Sequence, residues 1–229
     1  MSRIRVCWIV VLALFVVVTA AYAGGWAIVT VKDVPDYAVA SKPFTLAFEV
    51  RQHGITLLNA LEPTITATNS NRQTMKFSPK ATGAPGEYSA EVKLNEPGQW
   101  NIEIQSGFLR YLLKNATEEP KTPQAGYEAL PLQVVAAGAP APVLSKKQRG
   151  QRLYVAKGCN GCHESGIGPK LTGKPLSADF VKSVLADPAG TFKSKAKPDV
   201  GEMPNLGLKP EEIAALTEFL AATQISRGR

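Results

Sequence analysis

Cys159-Asn160-Gly161-Cys162-His163 is the stretch on which the reading of this chain turns. Two thiols three residues apart, followed at once by a histidine, make the C-x-x-C-H pattern of covalent haem attachment. Each thiol can bond one vinyl group, and the histidine is then held beneath the iron as an axial ligand. The other uses of a Cys-x-x-Cys pair fit less well. A zinc site needs two more ligands, usually Cys or His, and the rest of the chain offers only Cys7 and His53. A thioredoxin-like redox motif belongs in a βαβ setting, which the flanking sequence lacks.

A carrier of electrons closes the second face of a haem iron, often with methionine, which raises the potential. The methionines are Met1, Met75 and Met203, and only Met203 follows the haem motif. It stands in Gly201-Glu202-Met203-Pro204-Asn205-Leu206-Gly207-Leu208, where Gly and Pro on both sides mark a loop. A loop methionine among turn residues is a poor core residue and a good candidate ligand; plain packing against apolar neighbours is its competing role. Lys193, Lys195 and Lys197 precede the loop and form an alternative ligand set, disfavoured because an ammonium is charged and strongly hydrated at neutral pH.

The surroundings predict helices wrapped on a haem. Ser145 with Gln148 reads as a capping box opening a first helix that carries Gly150, Leu153 and Tyr154. The run from Gly166 to Gly173 is too rich in Gly and Pro for helix or strand. Ser177 can cap a second helix, Ala178 to Ala186, which Asp187-Pro188 stops. Pro210, Glu211 and Glu212 open a third, with Pro in the first turn and acids near the positive end of the dipole. Ile213, Leu216, Phe219 and Leu220 then form one apolar face. Lys209 stands where Ser or Thr would cap better.

Residues from about Ser145 to Thr223 resemble a class I c-type cytochrome domain. The resemblance rests on Gly150-x-x-x-Tyr154, the Cys-x-x-Cys-His motif, Gly168-Pro169-x-Leu171, the Met203-Pro204 loop and Phe219. It implies one covalently attached haem c, with Cys159 and Cys162 as thioether anchors and His163 and Met203 as iron ligands. It also implies that Pro169 gives its backbone carbonyl to the histidine ring, as groups behind a metal ligand do. Gly150 and Tyr154 would pack the first helix against Phe219 of the last.

At the front, Arg3 and Arg5 precede an apolar run from Val6 to Val18, and Ala21-Tyr22-Ala23-Gly24 follows. Charged start, apolar middle and Ala-x-Ala end read as a secretory signal cleaved after Ala23. The alternative is an uncleaved anchor over residues 6–23, at the short end of the ~17–25 residues a spanning helix needs. Export agrees with covalent haem attachment, which in bacteria takes place outside the cytoplasm.

From Gly24 to about Val135 the periodicity changes. Trp26–Val31, Phe44–Val50, Pro63–Thr68, Thr74–Phe77, Glu87–Leu94, Trp100–Gln105 and Ala129–Val135 are short and rich in β-branched or aromatic residues. Turn residues separate most of them, including Pro35-Asp36, Asn69-Ser70-Asn71 and Gly83-Ala84-Pro85-Gly86. Six or seven strands at this spacing predict an Ig-like antiparallel β-sandwich. Asn101 to Gln105 alternates cleanly, one face buried and one wet. Leu109 to Tyr127, with Pro120 and Pro123, reads as a long loop.

This half loosely resembles the exported β-domains called YtkA-like or FixH-like, through Phe44-x-Leu46-x-Phe48-x-Val50-Arg51-Gln52-His53-Gly54, Gly86-x-Tyr88 and Gly98-x-Trp100-x-Ile102. The resemblance implies a tie to copper handling or oxidase assembly, which directs attention to His53 and Met75. Two isolated soft ligands are too few for a copper site, and a hairpin histidine making ordinary hydrogen bonds is the plainer reading. A docking module is the default for this half.

Ala136-Ala137-Gly138-Ala139-Pro140-Ala141-Pro142 is a semi-rigid linker expected to separate two cores. The expected order is a multidomain all-β plus all-α chain. Residues 1–23 form a signal peptide or N-terminal membrane anchor, 24–135 a β-sandwich domain and 136–144 the linker. Residues 145–229 form a cytochrome c haem domain of three to four helices. Charge is uneven: Gly24 to Val143 carries 10 basic and 11 acidic side chains, and Leu144 to Arg229 carries 14 and 8. A basic haem domain suits an acidic redox partner or anionic lipid; simple solubility is the competing account. Nothing suggests nucleic acid.

Residues and resemblances together predict an extracytoplasmic, periplasmic or membrane-associated electron-transfer protein rather than an enzyme, free or as a subunit of a respiratory or photosynthetic complex. Two rivals stand beside it. One is an oxidase-assembly or copper-handling accessory protein with a haem domain. The other is a haem enzyme or sensor with an open distal site, against which Met203 and the scarcity of histidine argue.

Overall fold

The computed structural model describes residues 27–108, 127–165, 167–171, 176–192 and 203–222. The N-terminal signal or anchor, most of the loop expected over Leu109 to Tyr127, and Lys193, Lys195 and Lys197 lie outside the described residues.

The β-rich half forms two sheets. Strands β1 (Ala27–Val31), β3 (Phe44–Gln52), β8 (Glu87–Val92) and β7 (Lys80–Ala81) make the first in that order, with β4 (Thr56–Leu57) paired to β3. The second runs β2 (Ala38–Val39), β10 (Tyr127–Val135), β9 (Gly98–Gln105), β5 (Thr64–Asn69) and β6 (Thr74–Phe77). All pairings are antiparallel except β2 with β10. Period-two alternation sends Leu46, Phe48 and Val50 of β3 and Trp100, Ile102 and Ile104 of β9 inward, into one core shared by both sheets. Phe48 stands opposite Tyr88 in the β3–β8 register, their rings stacked at 6.0 Å. The buried Tyr88 hydroxyl donates to the Leu58 carbonyl at 2.9 Å and accepts from the Leu61 amide at 3.0 Å, so its burial leaves no polar group unpaired.

The helical half among the described residues has three longer helices and two single turns. These are α1 (Lys146–Ala156), α2 (Cys159–His163), α3 (Ala178–Ala186), α4 (Pro188–Phe192) and α5 (Pro210–Ala222). Ser145 makes both bonds of the expected capping box with Gln148. The Ser177 side chain accepts from the Phe180 amide. Lys209 does not cap α5 with its side chain; instead Glu212 reaches back to accept from the Lys209 amide at 3.0 Å, the return half of a capping box. A Cβ on Gly150 would lie 2.0 Å from the Ala215 carbonyl oxygen, so glycine is what lets α1 and α5 cross this closely. Tyr154 and Phe219 close the same crossing, ring centroids 5.6 Å apart.

Contacts cross between the two halves. Ala156 of α1 packs into the sandwich core, and Val34 of the sandwich packs into the helical cluster. Every residue of β1 is buried: Val29 and Val31 face the sandwich core, while Ile28 and Thr30 point the other way. The Thr30 hydroxyl donates to the Lys157 carbonyl at 3.4 Å, and the Lys157 ammonium donates to the Lys32 carbonyl at 2.6 Å. Lys157 also pairs with Glu212 at 2.9 Å. Arg152 donates to the carbonyls of Pro35 and Asp36 at 2.7 and 2.9 Å, and Arg149 pairs with Asp36. Lys209 reaches Asp33 at 2.7 Å. A linker's composition says nothing of these contacts, because the residues that make them are far apart in sequence.

Candidate haem-binding site

Helix α1 ends at Ala156 with Lys157 as its C-cap, and Gly158 follows in the left-handed region (φ +75°). That turn lets the chain restart at once as α2. One helical turn places Cys159, Cys162 and His163 at i, i+3 and i+4, on a common face. Gly158 has a second reason to be glycine: a Cβ there would lie 2.4 Å from Ile28 and 2.7 Å from the Val29 carbonyl oxygen.

Cys159 and Cys162 stand as thiols, each partly buried. Burial raises the Cys162 thiol above its ordinary pKa. The His163 ring is oriented by Nδ1, 2.8 Å from the Pro169 carbonyl oxygen. A carbonyl can only accept, so Nδ1 carries the proton and Nε2 keeps its lone pair for a metal. The stretch bearing Pro169 is tied back by the Gly168 amide, which donates to the Cys162 carbonyl at 2.9 Å. A Cβ on Gly168 would press on Nδ1 at 3.2 Å.

These groups open onto one cleft that also takes in Met203, Pro204 and Leu206. Met203 is partly buried, in an irregular segment turned by Gly207 (φ +60°), whose amide donates to the Asn205 side chain at 2.9 Å. Two thiols, one oriented imidazole and a thioether along a mainly apolar cleft suit a covalently held haem, and the residues present fit that group.

Five sequence-predicted site residues, Cys159, Cys162, His163, Pro169 and Met203, therefore line a single cleft. The sandwich contributes further lining that sequence reasoning did not assign: Ile28 and Thr30 of β1, Arg51 of β3, and His53 with Gly54 in the turn after it. His53 and Met75 are not brought together: His53 borders the cleft, while Met75 on β6 packs against the sandwich core. Among the described residues no group of three or more His, Cys, Asp or Glu side chains is arranged to hold a metal ion.

Comparison with known proteins gives two family matches. Residues 145–220 match the model described as cytochrome C oxidase, cbb3-type, subunit III, and residues 25–105 match the one described as YtkA-like. Both resemblances drawn from the sequence, to a c-type cytochrome domain and to a YtkA-like domain, agree with these matches. No curated protein matches the chain. Among solved structures, similarity is found to CopC from Methylosinus trichosporium OB3b (11% identity, TM-score 0.32, covering 49% of this chain and 99% of that one). It is also found to a superoxide reductase (neelaredoxin) from Ignicoccus hospitalis (10% identity, TM-score 0.28, covering 49% and 82%). Likenesses this distant carry no argument. Among the described residues no helix is long and apolar enough to cross a membrane.

Proposed function

We propose that this chain is an extracytoplasmic mono-haem c-type cytochrome that carries single electrons, alone or within a membrane-bound respiratory or photosynthetic complex. The observation that carries the reading is the convergence of Cys159, Cys162, Pro169-oriented His163 and Met203 on one cleft, in a segment matching a c-type cytochrome domain. Bound haem c supplies a one-electron couple at its iron. The chain's residues do the rest. Cys159 and Cys162 anchor the group through thioethers. His163 ligates through Nε2, with its ring fixed by Pro169. Met203 would be the second ligand, and its loop, braced by the Gly207–Asn205 bond, would limit water in the cleft. Leu206 and Ile28 line the cleft with apolar surface, which favours the less charged reduced state. Electron transfer is the activity, and the basic helical half meets an acidic redox partner. Residues 1–23 direct export, as a cleaved signal or as an anchor.

Haem staining after full denaturation tests attachment. Wild type keeps the stain; Cys159→Ser or Cys162→Ser weakens it, and the double variant loses it. Stain surviving in the double variant would remove the attachment claim. Ferric wild type shows the weak red sulfur-to-iron charge-transfer band near neutral pH. Met203→Ala abolishes it, lowers the potential and opens the iron to carbon monoxide or cyanide. Ready carbon monoxide binding by the ferrous wild type would instead favour a haem enzyme or sensor with an open distal site.

A further inference from the structure

We propose that the haem site is built by both halves of the chain: the outer face of β1 and the start of the β3–β4 turn form a fixed wall of the cleft, and the sandwich thereby sets the haem's potential. The inference rests on the haem reading above and concerns a role for the sandwich other than docking. Three observations carry it. First, Ile28, Thr30, Arg51 and His53 border the same cleft as Cys159, Cys162, His163 and Met203. Second, the wall is built into a close joint between the two halves. Gly158, the residue before the first haem cysteine, lies so close to β1 that a single added carbon would meet Ile28 at 2.4 Å. The neighbouring Lys157 is 5% exposed and is held by Lys32, Thr30 and Glu212 together. A casual contact between tethered domains would not bury an ammonium and match each of its polar groups. Third, the wall is internally braced: Arg51 donates to the Thr30 hydroxyl at 3.3 Å and pairs with Glu49.

The consequence follows from electrostatics. Oxidation adds a positive charge at the iron. Water reaching the cleft stabilises that charge, and a fixed cation nearby opposes it. Ile28 keeps one side of the cleft dry, and Arg51 holds a guanidinium beside it. Both favour the reduced state. Glu49 offsets part of the Arg51 field, so the effect of Arg51 is moderate.

Spectroelectrochemical titration of the full-length holoprotein tests this, comparing wild type with Ile28→Ala, Arg51→Gln and the distant surface variant Lys93→Gln. In the Arg51 variant Glu49 keeps Lys32 as a partner at 3.1 Å, so the sheet survives the change. At the wild-type midpoint, Ile28→Ala and Arg51→Gln each lower the ferrous-to-ferric ratio several-fold, a tenfold change being ~59 mV for one electron. Lys93→Gln leaves it unchanged. The red charge-transfer band persists in all, so the shift is not a loss of Met203. If Ile28→Ala fails to accumulate as holoprotein, Ile28→Val is titrated and shows a smaller shift of the same sign. Midpoints unmoved in both wall variants, with haem attached and the band intact, overturn this inference alone. Wild type without covalent haem overturns it together with the haem reading.

Discussion

Gly150 shows how little room single residues have in the helical half. Its hydrogen occupies the only space between α1 and the Ala215 carbonyl, where a methyl carbon would stand at 2.0 Å. The obstacle is backbone, which cannot rotate away, so Gly150→Ala must push α1 off α5 and disturb the Tyr154–Phe219 contact. Helix propensity favours the alanine by up to ~1 kcal/mol, but overpacking of this kind typically costs ~1–3 kcal/mol. Clash wins: the variant loses about 1–2 kcal/mol in denaturant unfolding of the holoprotein, and equal or greater stability would contradict the close crossing. Residues such as Cys159, Cys162, His163 and Met203 were legible in the sequence because their types are scarce and their spacing is local. Ile28, Thr30 and Arg51 were not, because they are ordinary strand residues whose meaning comes from what packs on the far side. Pro169 lay between the two cases, visible only through resemblance, since its contribution is a backbone carbonyl that any residue possesses.

At the scale of elements, the end of α1 is joined to the start of α5 by Lys157 and Glu212. Their side chains are 5% and 11% exposed and 2.9 Å apart. Each has further partners, Lys157 the Lys32 carbonyl and Glu212 the Lys209 amide, which is what makes a buried charge pair tolerable. Lys157→Met therefore leaves the Glu212 carboxylate buried without its cation. The expected cost is about 3–5 kcal/mol, read from chemical unfolding. Adding Glu212→Gln removes the stranded charge while keeping an acceptor for the Lys209 amide, so the double variant regains part of the loss. Additive losses would mean that the two side chains are not coupled. The elements themselves were largely readable. The seven longer strands fall within two residues of the expected spans at each end, and α1, α3 and α5 begin where their caps predict. The two-residue strands β2, β4 and β7 and the single turn α4 escaped, because so short a segment carries no periodicity. At α5, Lys209 indeed offers no capping hydroxyl, and Glu212 adds only the return half of a capping box, which the sequence reading did not foresee.

At the scale of the whole molecule, two core clusters lie on either side of the Ala/Pro linker, and contacts cross between them. Ala156 is fully buried within the sandwich core, and the partly buried Val34 packs against both clusters. The seam also carries the Asp36–Arg149 and Asp33–Lys209 pairs and the Arg152 bonds to Pro35 and Asp36. The exposed pairs contribute little; the buried apolar contacts and the Lys157 cluster hold the halves together. Melting the helices would expose the outer face of β1 and strip Ala156 from the sandwich core. Conversely, unzipping β1 would remove Ile28 from the haem cleft. Each half thus loses buried surface when the other unfolds, the condition for a shared cooperative transition. Heating the holoprotein should accordingly bring the far-UV strand signal and the haem Soret band through a transition together, within a few degrees. Breaking the seam with Lys157→Met should pull the two apart, the haem signal being lost first, since the helical half is small and leans on the sandwich. Strand structure outlasting the haem signal by a wide margin in the wild type would show two independent cores, and with them a sandwich that does not help to hold the haem.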